Sequence, residues 1–194
     1  NRRARPRGGQ RRIRDARAQE IAGLFHAERL RQGEILTSLE IAERLAKAGC
    51  EEVSFGDTTG MANPRQVGEF FAAARERLGE VELTAHFHTT RGQGLANVLA
   101  ALAEGVESFE SAFGELGGSP VSPGATGNIV MDDLCFMLDS MGLRTGVDVE
   151  KLIEVRKIVR AALPDIEMHG AIARAGLPRN YVGASQRHAQ RVAA

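Results

Sequence analysis

From residue 33 onward, apolar positions recur with two alternating periods. Val67, Phe70, Phe71, Ala74 and Leu78 repeat at the 3.6-residue spacing of one helical face. Asn63-Pro64 opens that helix, with proline at a first position that needs no amide hydrogen. Thr37-Ser38-Leu39-Glu40 reads as the capping box of an earlier helix, which buries Leu39, Ala42 and Ala46 and ends at Ala48-Gly49-Cys50. Leu95, Val98, Leu99 and Leu102 predict one face of a third helix, and two more are expected at residues 129–141 and 149–163. Short strands are predicted between them, at residues 53–55, 81–88 and 106–113. Beyond Pro164 no strong period remains, so residues 164–194 are expected to be an irregular tail.

Helices alternating with strands make βα units that feed a parallel sheet, with right-handed crossovers placing the helices on its faces. Three strands cannot close a barrel, so the pattern implies a small open sheet or a part of something larger. The strand at residues 81–88 bears on that choice. Val81, Leu83, Ala85 and Phe87 point to one side; Glu82, Thr84, His86 and His88 point to the other. A polar inner row ending in two histidines suits the C-terminal rim of a barrel, where active sites sit. His86 and His88 can aim both imidazoles at one point, as metal-binding histidine pairs do. The plainer alternative is two surface histidines at a strand end.

Composition narrows the class. Apolar residues are 43% and charged residues 26%, in the globular range. Lys plus Arg and Asp plus Glu each number 25, giving zero net charge and arguing against a protein that coats nucleic acid. One local imbalance exists: residues 1–17 carry eight arginines against one acid, Asp15. With so little to bury, that segment is expected to be disordered. It reads as a solvated tail, a transit peptide or an RNA-binding arm, the last weakened by the lack of aromatic residues for base stacking. Cys50 and Cys135 form no Cys-x-x-Cys pair, which excludes a disulfide scaffold and suits a reducing compartment. No apolar run is long enough to span a membrane. The cytoplasm is the expected location, with the mitochondrion left open.

Four motifs follow one another in order: Gly56-Asp57-Thr58-Thr59-Gly60, then His86-Phe87-His88, then Gly117-Gly118-Ser119-Pro120, then Gly124-Ala125-Thr126-Gly127-Asn128. This order closely resembles the 3-hydroxy-3-methylglutaryl-CoA lyase family over residues 33–163. The resemblance implies a metal-dependent (β/α)8 barrel that cleaves an acyl-CoA into acetyl-CoA and a keto acid. It implies magnesium or manganese held by His86, His88 and Asn128, a loop built on Gly117 and Gly118, and a place for Asp57 in the site. It also puts Ser119 where the family carries a proton-transferring cysteine. A helix beginning at Asn128 would add a positive dipole end for an anionic substrate.

Three departures accompany the match. The family takes a metal-binding aspartate and a catalytic arginine from an Arg-Asp pair on its first strand; Arg14-Asp15 lies too close to Asp57 to be that pair. A serine hydroxyl at position 119 is a much weaker acid than a thiol. Thr89 stands where an aspartate commonly follows the second histidine. Residues 18–32 also show no apolar strand pattern. These features predict a partial barrel of about strands six to eight at residues 33–163, preceded by a disordered or foreign segment at residues 1–32. The expected partners are an acyl-CoA and either the N-terminal half of a barrel or a second copy of the chain. Three functions stay open: an acyl-CoA lyase or a condensing relative of the isopropylmalate and citramalate synthase type; a non-catalytic remnant or partner subunit; and an arginine-arm nucleic-acid binder.

Overall fold

The computed structural model describes residues 21–22, 32–118 and 124–192 of the 194-residue chain. Four parallel strands form one sheet in chain order: β1 (Ile21–Ala22), β2 (Glu52–Asp57), β3 (Glu82–Phe87) and β4 (Ser108–Glu110). Helices α1 (Gln32–Lys47), α2 (Pro64–Leu78) and α3 (Gly94–Ala103) connect successive strands. Helices α4 (Met131–Ser140), α5 (Val149–Ala162), α6 (Ala171–Ala175) and α7 (Ala184–Val192) follow. Sequentially ordered parallel strands joined by crossover helices are the wall of a (β/α)8 barrel, and this fold is a part of one.

The outer face of the sheet is cemented to α2 by aromatic rings. Phe55 of β2 meets Phe70 edge to face with centroids 4.9 Å apart, and Phe71 packs likewise on Phe70 at 5.4 Å and Phe87 at 6.4 Å. Such pairs contribute about 0.5–1.5 kcal/mol each beyond burial of their area. The five α2 positions picked out by periodicity are all buried. Its start is held by a reciprocal cap: Asn63 Oδ1 accepts from Gln66 N at 3.1 Å, and Gln66 Oε1 accepts from Asn63 N at 3.2 Å. That strong stop keeps the β2–α2 loop short and in place above the sheet.

Several expectations need correction. Helix α1 begins at Gln32, so Thr37 to Glu40 lie within it rather than at its start. A two-residue strand, β1, stands inside the segment 18–32 where none was expected, with Ile21 opposite Phe55. Among the described residues four strands are therefore present, not three. On α3 the buried face is Gly94, Asn97, Val98 and Ala101, while Leu99 is 41% exposed. The helix is turned because Asn97 donates Nδ2 to the Ala62 carbonyl at 3.0 Å, a bond that apolar periodicity does not register.

The expected strand at 106–113 shrinks to Ser108–Glu110. Beyond it, residues 128–130 take over the pairing: Ile129 N donates to Phe87 O at 2.9 Å and Ala112 N to Ile129 O at 3.0 Å. For the same reason α4 starts at Met131, and Asn128 lies in this extended segment rather than at a helix N-terminus. Residues 164–194 are not uniformly irregular, since α6 and α7 occur there. Asp133 accepts from the Ala171 and Ile172 amides, and Asp139 from the Ala184 amide. These tertiary caps hold two helices that carry no long apolar stripe. Among the described residues, no helix is long and apolar enough to cross a membrane.

Candidate metal centre

The alternation of β3 sends Leu83, Ala85 and Phe87 into the core and turns Thr84, His86 and His88 to the inner face, where all three are nonetheless buried. Register places Gly56 of β2 and Glu110 of β4 on either side of His86. His88 lies just past the strand, bridged to Asn128. The two histidines share one face and one end of the sheet.

Their rings converge. His86 Nε2 and His88 Nε2 are 2.9 Å apart, with ring centroids 5.0 Å apart. Each ring is held from behind. His86 Nδ1 lies 2.7 Å from Glu110 Oε2, and His88 Nδ1 lies 2.6 Å from the Thr126 carbonyl oxygen. A carboxylate and a carbonyl only accept, so both Nδ1 atoms donate, and in the neutral rings the Nε2 lone pairs face one another. Two such lone pairs at this distance repel unless a cation lies between them.

A divalent ion fits this donor set. Two adjacent ligands of an octahedral ion, each about 2.1 Å from it, lie about 3.0 Å apart, against about 3.4 Å for a tetrahedral ion. The 2.9 Å spacing lets both nitrogens reach one ion. Imidazole nitrogens suit manganese better than magnesium, which takes oxygen ligands more readily. Asn128 lies nearby, with its Nδ2 3.5 Å from His86 Nδ1, the ring edge turned away from His88. Among the described residues no three His, Cys, Asp or Glu side chains group as ligands.

The other expected residues are placed differently. Asp57 is fully buried at the end of β2, where Oδ1 accepts from Met61 N at 3.1 Å and Thr59 Oγ1 at 3.2 Å, and Oδ2 accepts from Ala62 N at 3.0 Å. Burial raises its pKa above 3.8, while these donors pull the other way. Its carboxylate is engaged in holding the β2–α2 loop. Gly117 and Gly118 are exposed, with φ values of +116° and +156° that side chains disfavour. Ser119 lies outside the described residues. The far end of the Gly-rich loop is tied back by Thr126, whose amide donates to Thr90 Oγ1 at 3.2 Å.

A cavity of about 460 Å³ adjoins the rim, lined by Thr89 next to His88 and by Arg156, Arg160, Met168 and Arg174. Two partners of the histidines escaped the sequence reasoning. Glu110 shares the inner parity of Ser108, opposite the partly buried Phe109 that packs on the core, so strand alternation carried a signal for it. Thr126 acts through its carbonyl, which no side-chain pattern reveals.

Comparison with known proteins identifies the family. The HMGL-like family model matches residues 10–159, beginning inside the segment 1–32. The hydroxymethylglutaryl-CoA lyase of Pseudomonas mevalonii is 43% identical over 124 residues, covering 64% of this chain and 41% of that protein. The Bacillus subtilis hydroxymethylglutaryl-CoA lyase YngG is 40% identical over 119 residues, covering 61% of this chain and 40% of that one. Among solved structures, an HMG-CoA lyase from Acinetobacter baumannii in complex with coenzyme A and 3-methylmalate superposes with a TM-score of 0.70 at 37% identity, over 78% of this chain and 48% of that one. The chain thus spans less than half the length of these relatives. With the family model matching most of its length and the histidine pair standing at the barrel rim, the chain belongs to the HMGL-like family.

Proposed function

We propose that this chain supplies the metal-holding part of an acyl-CoA lyase site, one that cleaves 3-hydroxy-3-methylglutaryl-CoA or a similar 3-hydroxyacyl-CoA to acetyl-CoA and a keto acid. The observation that carries the proposal is the facing of His86 Nε2 and His88 Nε2 across 2.9 Å. His86, His88 and Asn128 would hold a magnesium or manganese ion, whose chemistry when bound is Lewis-acid polarisation of substrate oxygens.

The chain's own residues do the rest. His86 and His88 point their Nε2 atoms at one another, each ring held at Nδ1 by Glu110 or by the Thr126 carbonyl. Asp57 shapes the loop above the sheet through its three accepted bonds. Gly117 and Gly118 lead in sequence to Ser119, which stands where the family carries its proton-transferring cysteine and would donate the proton to the product carbanion. A hydroxyl there is a poor proton donor near neutral pH. No Arg-Asp pair stands on a described strand. Loss of one preorganised donor to a developing oxyanion costs roughly 10²–10³ in rate. The proposal therefore includes a partner, either further barrel strands or a second copy, that completes the site beside β1 or β4.

The test is to incubate the purified chain with 3-hydroxy-3-methylglutaryl-CoA and manganese and to measure acetyl-CoA. The 194 residues alone are expected to bind the ion and to release no easily measured acetyl-CoA, with Ser119→Cys failing to restore release. Robust release by the chain alone would overturn the partner requirement, and absence of metal binding would overturn the proposal as a whole.

A further inference from the structure

Glu110 lies at the end of β4, the three-residue strand at the edge of the described sheet, and reaches across the inner face to β3. Its Oε2 is 2.7 Å from His86 Nδ1, and its Oε1 accepts a long, 3.5 Å bond from Ser54 Oγ of β2. Three neighbouring strands thus meet in one hydrogen-bonded line behind His86. A neutral imidazole has one N–H and one lone pair, and the partner at one nitrogen dictates which is which. A carboxylate at Nδ1 draws the hydrogen there and turns the Nε2 lone pair toward His88. Without it, Asn128 Nδ2, a donor 3.5 Å from the same Nδ1, favours the opposite tautomer, whose Nε2–H would point into the site and block an ion.

Resting on the reading of the two histidines as metal ligands, we infer that Glu110 is the positioning residue of this centre. It sets the tautomer and ring orientation of His86 and thereby the affinity for the divalent ion. Carboxylate partners behind ligating histidines typically contribute 10- to 100-fold in metal affinity.

The experiment has two arms. Long-range ¹H–¹⁵N NMR on histidine-labelled wild-type chain, metal-free and magnesium-loaded, reads which His86 nitrogen carries hydrogen. A manganese titration followed by electron paramagnetic resonance compares wild type, Glu110→Ala and Glu110→Gln. The wild type is expected to carry hydrogen on His86 Nδ1. Glu110→Ala should weaken manganese about 10- to 100-fold, and Glu110→Gln, which keeps an acceptor of the same reach, should recover part of that loss. A His86 hydrogen on Nε2 alone, or equal affinity in all three proteins, overturns the inference. Should Glu110→Ala fail to fold, the glutamine variant and the wild-type tautomer still decide. Should the wild type bind no manganese, the functional proposal fails, while the metal-free tautomer continues to test Glu110.

Discussion

Arg156 Nη1 lies 2.7 Å from Asp132 Oδ2, and that carboxylate has no solvent exposure at all. The pair locks α5 onto α4, the helix that follows the site segment 128–130, and a second guanidinium bond goes to the His169 carbonyl. Asp132 Oδ1 has no hydrogen-bond partner among the described residues. Burial raises the Asp132 pKa above 3.8, with Arg156 opposing the rise. Breaking a buried pair leaves an uncompensated charge and costs about 3–5 kcal/mol.

Arg156→Met is therefore expected to lose about that much in urea unfolding near pH 7. The loss should shrink on acidification. A carboxylate whose folded pKa is raised stabilises the fold below its unfolded pKa, and that contribution disappears as pH rises through the folded value. Removing Arg156 raises the folded value further, so the variant is penalised most at neutral pH and least near pH 4. The double variant Asp132→Asn/Arg156→Met should be more stable than Arg156→Met alone.

Asp57→Asn tests the loop-holding role. An amide cannot accept at both ends, so its NH₂ faces either the Ala62 amide or the Met61 amide, as donor against donor. A drop of about 1–3 kcal/mol in unfolding free energy is expected, with manganese affinity falling less than tenfold. A stable variant that binds no metal would place Asp57 in the site itself.

Much of this frame was legible in the sequence, though unevenly. The α2 stripe and the two faces of β3 follow from local periodicity, because each buries one side against a single layer. What escaped depends on partners distant in the chain. The Thr37–Glu40 pattern has the chemistry of a cap, yet α1 extends back past it. Leu99 has a higher apolar weight than Asn97, but Asn97 has a carbonyl waiting at Ala62. Residues 128–130 pair with Phe87 and Ala112, and so shorten β4 and delay α4. The histidines were legible from alternation, whereas their support by the Thr126 main chain was not.

Gly127 lies between that carbonyl and Asn128. A Cβ there would sit 2.2 Å from the Glu115 carbonyl oxygen and 2.8 Å from that of Leu116, both backbone atoms with little room to give. Gly127→Ala is expected to cost about 1–3 kcal/mol through overpacking and to weaken manganese binding by shifting Thr126 away from His88. Calorimetry and a metal titration on the same preparation check both effects. Unchanged affinity would uncouple the loop from the histidine.

Cys135 is buried on α4 near Asp132 and Asp139, and burial, aided by these two charges, pushes its pKa up to about 11. Alkylation of the native chain at pH 8 should modify half-buried Cys50 and spare Cys135, since the thiolate is the nucleophile. A thiol with a raised folded pKa contributes stability that is complete below 9 and lost as pH climbs to about 11. Wild type should lose stability across that window relative to Cys135→Ala. Peptide mapping after labelling, and paired melts from pH 8 to 11, provide the readouts.

The central claim is that the two facing imidazoles hold one divalent ion, and a manganese titration followed by electron paramagnetic resonance tests it most directly. The wild-type chain should bind one ion with half-saturation unaffected by the loss of residues 1–17. Either His86→Ala or His88→Ala should weaken binding by more than about 100-fold, beyond what the loss of an outer partner costs, while melting cooperatively like the wild type. A wild-type chain that leaves manganese free in solution, or histidine variants that bind it as tightly as the wild type, would contradict the account.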